Sequence, residues 1–378
     1  MTKDNGNVLK LSAIFGFQQA VRGGLGFSGP NTLFHLAGRM GVHYKLKAKY
    51  QQFTPLPEEN EVTAVGFGAN NVLILATKGK KASIVIFDPK TNQKRNLKRP
   101  EKIVSNHYVW VSFSEDCDRV GGQGGAPDWA FALWHMEKKR LEAVIHPFRM
   151  EPNAKVYKFG FCPFDSSRIF VVGRYFLRLY RCKDEQRMIE IALHDHERTE
   201  RTFHCVAWMR SPDRAMIGTS DGNILIFQNI TLLREVSVTK ELTRIQRSVN
   251  VEDKNVTCIL LTSDGLMCSH GTTSVLCFKE DFKLHKVLNI PQSSRESRVV
   301  QLAMNLQESI FTVATRDGRI MYYSLAFRSD EKDCEDDFRV VQDYQHTRAV
   351  ICADTIRSVS LQVACSDTTI TIRDFSSR

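Results

Sequence analysis

No apolar run in this 378-residue chain approaches the roughly 18 residues that a membrane-spanning helix requires. The sequence is therefore not expected to cross a bilayer on helices. The first seven residues, MTKDNGN, are polar and read as a short tail at 1–7, with nothing resembling a signal peptide. Ten cysteines are present, but no two of them form a CxxC pair. Cys162, Cys205, Cys258, Cys277, Cys352 and Cys365 stand singly inside apolar runs, where free thiols behave as small hydrophobes. A reducing compartment, cytoplasm or cytoskeleton, is expected rather than a disulfide framework.

Signs of chemistry are equally scarce. There is no GxSxG elbow, and no pair of carboxylates stands out for general acid and base work. The glycines of GGQGGAP at Gly121 lack the Lys-Ser or Lys-Thr and the following helix that a phosphate cradle needs. Pro127 and the strand-like WAFALW follow instead, so a hairpin loop is expected there. His194, Asp195 and His196, with His204 and Cys205 downstream, could be drawn as metal ligands. Two histidines one residue apart in an extended loop diverge, and no Cys or His pair has a zinc spacing. The sequence thus predicts no metal, no cofactor and no enzymatic activity.

What is present is repetition. The stretch from Thr202 to Val238, TFHCVAWMRSPDRAMIGTSDGNILIFQNITLLREVSV, holds four short runs rich in β-branched and aromatic residues. SPD separates the first two, and Asp221-Gly222 supplies a tight hairpin between the next two. This is a four-stranded meander, and its opening strand recurs as EVTAVGF at Glu61, HYVWVSF at His107, KVYKFGF at Lys155, NVTCILL at Asn255, RVVQLAM at Arg298 and RAVICAD at Arg348. The aromatics Phe67, Phe113, Phe161 and Trp208 fall 46, 48 and 47 residues apart by subtraction of their numbers, the upper end of WD-type blade lengths. The predicted fold is therefore all-β, a WD-repeat-type β-propeller.

First strands near Gly23, Val62, Tyr108, Val156, Phe203, Val256, Val299 and Ala349 predict about eight blades, with seven as the alternative because the Gly-rich first unit matches weakly. The last repeat supplies three strands and stops at Arg378. A lone strand from Val8, VLKLSAIFGF, is expected to complete that blade and close the ring, hiding an edge that would otherwise template aggregation. The whole of 8–378 then reads as a single propeller domain. Two longer connections, Glu241 to Lys254 and the acidic Arg328 to Asp337, read as solvated loops.

Charge is unevenly spread. The net charge of +10 lies wholly within residues 1 to 105, where 16 Lys and Arg face 6 Asp and Glu, against 36 and 36 in the remainder. The excess concentrates in Lys45, Lys47 and Lys49, in Lys78, Lys80 and Lys81, and in Lys94, Arg95, Lys98, Arg99 and Lys102. Lysines on a blade's outer strand discourage edge pairing, so a merely solvated edge is one reading. The other is a footprint for an acidic protein partner, such as a microtubule surface. Nucleic acid fits less well, because the run KTNQKRNLKRPEK carries no interleaved aromatic to stack a base. An enzyme site in the central channel would need polar side chains converging near strand ends, a convergence the sequence does not display.

The succession KYQQFTPL, EVTAVGFGANNVLILATKGKKASIVIFD, WAFALWHMEKKRLEAVI and VYKFGFCPFDSSRIFVVGRYFLRLYR resembles the N-terminal propeller of WD-repeat cilia- and flagella-associated proteins. The resemblance runs in order over nearly the whole chain. It implies a non-catalytic scaffold of the axoneme on doublet microtubules, meeting tubulin or inner-dynein-arm and regulatory components. Members of that family continue into a second propeller and a coiled coil, whereas this chain stops at Arg378, so roles that depend on the coiled coil are not implied for it. The alternative is a propeller adaptor in a non-ciliary protein or ribonucleoprotein complex.

Overall fold

The computed structural model describes residues 14 and 16–374 apart from 57–60, 148–149, 152, 184–186, 192, 194–200, 246–253, 272–273, 292–297, 326–337, 343–351, 357–360 and 366–369. The meander read from Thr202 onward is there as strands Phe203–Trp208, Arg214–Thr219, Asn223–Gln228 and Thr231–Ser237. They pair antiparallel in chain order. The same unit recurs over 25–55, 61–98, 108–145, 155–191, 258–289 and 299–342, giving seven four-stranded sheets, and three further strands over 352–374 pair as a three-stranded sheet.

Innermost strands contact one another in succession from 61–67 round to 299–304, and the last of these meets Leu25–Gly29, the first strand of the first sheet. The first and second sheets are joined where Arg22 bridges in parallel to Ala64. Seven sheets thus form the closed ring, the seven-blade alternative. Seven apolar clusters mark the seven seams, one between each adjacent pair of blades. The Gly-rich first unit is a full blade. It seals against the seventh through Leu25, Leu33 and Leu46 packed on Ala314 and Ile320. Gln301 Nε2 donates to Leu25 O at 2.7 Å and Asn305 Nδ2 to Pro30 O at 2.9 Å across the same seam. Residues 8–13 of the strand expected to close the ring lie outside the described residues, as do His194–His196 and the acidic insertion.

Two local expectations are corrected. Gly121 and Gly122 belong to the strand Arg119–Gly124 rather than to a loop. A Cβ on Gly121 would come within 2.7 Å of the Phe159 ring, and one on Gly122 within 2.3 Å of Ile84 Cδ1, so neighbouring blades approach here as only glycine allows. The start of the connection at Glu241 is helical. The helix Val238–Ile245 buries Val238 and Leu242 in the seam between the fifth and sixth blades, with Leu242 one turn beyond Val238 on the same face.

Blade position explains where charge is tolerated. The second strand of the first blade, Thr32–Ala37, is buried at every residue because neighbouring blades cover both its faces. The outer strand Gln93–Lys98 is mostly exposed, and so can carry lysines at little cost.

Candidate functional site: the basic blades and the central channel

Each inner strand runs from one face of the ring to the other. The turns joining second to third strands, and the connections between blades, therefore lie on one face, here the upper. The first-to-second and third-to-fourth turns lie on the lower.

This topology divides the basic residues of the first two blades. Lys78 ends the second strand of the second blade, Lys80 and Lys81 form the following turn, and Lys98 pairs in register with Ser83 just beyond it. Arg99 and Lys102 follow in the connection to the third blade, with Arg99 donating to Ser105 O at 2.7 Å. These six gather at the upper face. Lys45 ends the third strand of the first blade, where its Nζ donates to Thr32 Oγ1 at 3.1 Å, and Lys47 and Lys49 form the turn that follows. Lys94, opposite Phe87, lies by the corresponding turn of the second blade. These four belong to the lower face. Arg95 stands next to Lys94, opposite Ile86, and reaches the third blade by donating to Met136 O at 3.3 Å. Four residues of extended strand, about 13 Å, separate Lys94 from Lys98. The basic residues are two patches, not one.

Only the upper patch continues inward. Lys78 bridges to His107 across the seam of the second and third blades. Burial, then the charges of Lys78 and Arg22, lower the His107 pKa below the usual histidine value. Arg22 lies in the channel itself. Its backbone is fixed by Arg22 N to Thr63 O at 3.1 Å and Val65 N to Arg22 O at 2.8 Å. The next residue, Gly23, has φ +69°, and a Cβ there would sit 2.2 Å from Val65 O. Glycine is required at that turn.

The channel is a cavity of about 380 Å³ whose wall includes Arg22, Trp110, Tyr157, Lys158, His204 and Gln301. Arg22 precedes the inner strand of the first blade, and the others lie in the first half of theirs, toward the upper face. Polar and aromatic groups therefore do converge in the channel, against the reading of the sequence. The signal was present: Tyr157 in KVYKFGF, His204 in FHCVAW, Thr257 in NVTCILL and Gln301 in RVVQLAM fall near the third residue of their repeats, a column of polar or aromatic residues in otherwise apolar strands. Among the described residues no group of three or more His, Cys, Asp or Glu side chains is placed to hold a metal.

Seven four-stranded meanders closed around a channel define a WD-type β-propeller. No model of a known protein family matches the chain. It is similar to cilia- and flagella-associated protein 57 of Mus musculus, 21% identical over 403 aligned residues that take in 93% of this chain and 32% of that protein. The chain thus spans about a third of the length of that relative. Similar solved structures include the β-propeller domain of Cps50 (Swd1) from Myceliophteria thermophila, with a TM-score of 0.56, 14% identity and coverage of 84% of this chain and 98% of that one. A chain of a Mitotic Checkpoint Complex gives a TM-score of 0.61 at 11% identity, covering 82% and 92%. The computationally designed Ika8 protein gives 0.55 at 14%, covering 96% and 98%. At these identities the structures establish the fold. Among the described residues no helix is long and apolar enough to cross a membrane.

Proposed function

We propose that this chain is a non-enzymatic propeller scaffold of the ciliary or flagellar axoneme that docks protein partners. The observation that carries the proposal is the similarity, along 93% of the chain, to a protein named for cilia and flagella. Seven apolar seams hold the ring rigid, so its turns can present side chains in fixed positions. The upper patch suits an acidic protein surface such as that of a microtubule, because six cations at one rim raise the local concentration of an anionic partner.

A tagged copy imaged in ciliated cells before and after detergent extraction tests the reading. Retention along the axoneme is the expected result. A diffuse or nuclear signal that detergent removes would sink it and favour an adaptor in a non-ciliary complex. Charge reversal separates the two patches. Lys80→Glu with Lys81→Glu and Lys98→Glu is expected to weaken axonemal retention while leaving the melting temperature nearly unchanged. Lys47→Glu with Lys49→Glu and Lys94→Glu is the lower-face control.

A further inference from the structure

We propose that the upper half of the central channel binds an oxyanion, a phosphoryl or carboxylate group, on a ligand whose carbon skeleton lies against Trp110 and Tyr157. This goes beyond the scaffold reading and stands on different residues. The cavity of about 380 Å³ is at the lower end of the range for small-molecule sites, room for one or two side chains or a small phosphorylated compound.

The chemistry of the wall selects the sign of the ligand. Arg22 and Lys158 line the cavity with His204, and among the described residues no Asp or Glu does. The described ion pairs include neither Arg22 nor Lys158. Both lie instead over aromatic rings. The Arg22 guanidinium is 5.4 Å from the centre of the Tyr157 ring, and Lys158 Nζ is 4.8 Å from that of Trp110. Two cations held in a half-enclosed site without a carboxylate are incompletely compensated, and a bound anion supplies what the wall lacks.

The wall also holds donors with hydrogen-bonding capacity to spare. Arg22 spends one guanidinium N–H on Tyr157 O at 2.6 Å, out of the five that the group carries. The Trp110 indole N–H is buried and has no acceptor among the described residues. Tyr157 and His204 stack with their planes 5° apart and centres 6.1 Å apart, forming a flat wall beside the cations. Burial pulls the Arg22 pKa down and the nearby Tyr157 opposes that shift, in keeping with a guanidinium taken partly out of water. The upper patch leads toward the same place through Lys78 and His107.

The test uses the purified chain and calorimetry, with tryptophan fluorescence as a second readout. Three probes are titrated: sodium pyrophosphate, a short peptide bearing one phosphotyrosine, and the same peptide with unmodified tyrosine. The expected result is saturable binding of at least one phosphorylated probe, weakening steeply with salt. Lys158→Gln should lower the affinity about tenfold or more, and Lys47→Gln on the lower face should leave it unchanged. Lys158 lies on the open wall, so its variant is expected to melt like the parent even if Arg22→Gln disturbs the ring. Trp110→Phe should abolish the fluorescence change. Tighter binding of pyrophosphate than of the phosphopeptide would assign the site to a free phosphorylated compound, and the reverse to a partner's side chain. Absence of binding by both phosphorylated probes, measurable binding of the unmodified peptide equal to that of the phosphopeptide, or wild-type affinity in Lys158→Gln would overturn the proposal.

Discussion

Acid should loosen the first blade well before carboxylates titrate. His35 is fully buried in the second strand of that blade, and burial, reinforced by nearby His43 and opposed by the Leu36 backbone, brings its pKa down to about 4. His43, one strand outward, is also lowered to about 4, by burial and by Lys45. A histidine whose folded pKa lies below its unfolded value of about 6.5 binds fewer protons when folded, so its contribution is complete above pH 6.5 and is lost as pH falls toward 4. For His35 the loss relative to pH 8 works out at about 2 kcal/mol by pH 5 and about 3 kcal/mol by pH 4, following a limiting slope of about 1.4 kcal/mol per pH unit. Urea denaturation followed by circular dichroism at pH 7.5, 6.5, 5.5 and 5.0 measures that slope. His35→Leu removes the titrating group, and although repacking shifts its absolute stability, its pH slope should fall by about one proton. His107 is lowered in the same direction, so His35→Leu combined with His43→Leu should retain a small residual slope. Stability unchanged from pH 7.5 to 5.0, or a His35→Leu slope equal to the parent's, would refute the reasoning.

Two further predictions concern the seams. Glu142, almost wholly buried, takes both hydrogen bonds of the Arg119 fork, at 2.8 Å and 3.0 Å, while Arg119 also reaches Ser166 in the next blade at 2.6 Å. Glu142→Gln removes the buried countercharge and one of the two acceptor oxygens and should cost about 3 kcal/mol in urea denaturation; a loss below a few tenths would show that the pair is dispensable. Asn305 accepts from Ser309 N at 2.9 Å and Ile310 N at 3.1 Å while donating to Pro30 O across the closing seam. Asn305→Ala should cost about 2 kcal/mol and raise amide exchange in 25–55 and 299–342 above that in the blades opposite, and uniform exchange would contradict a localised seam.

The strands were legible because each is short, apolar and followed by turn chemistry, so that FHCVAW and NILIF show their state without reference to partners. Ring size was less so, because closure depends on which faces meet. That the Gly-rich first unit packs Leu25 and Leu33 on Ala314 and Ile320 is a contact between residues nearly 300 positions apart. Gly121 and Gly122 misled for the same reason: locally they signal a loop, and the ring that Phe159 brings against the strand lies in another blade. In the basic residues the composition was visible and the partition was not. Lys94 and Lys98 are four apart in one run of sequence, yet the strand between them carries them to opposite faces.

That partition constrains any docking arrangement. A flat acidic surface can meet one face of a rigid ring at a time, so ten surface cations cannot act as one footprint. The upper six have the stronger claim to a partner, because the same face carries Lys78 and His107 toward Arg22 and the channel. The lower four lie at turns whose neighbouring strands are outermost, where lysine also serves simply to block edge pairing. An acidic partner seated on the upper face would cover the channel mouth. A bound oxyanion would cancel part of the positive field of Arg22 and Lys158 and so oppose the docking of an acidic partner on that face.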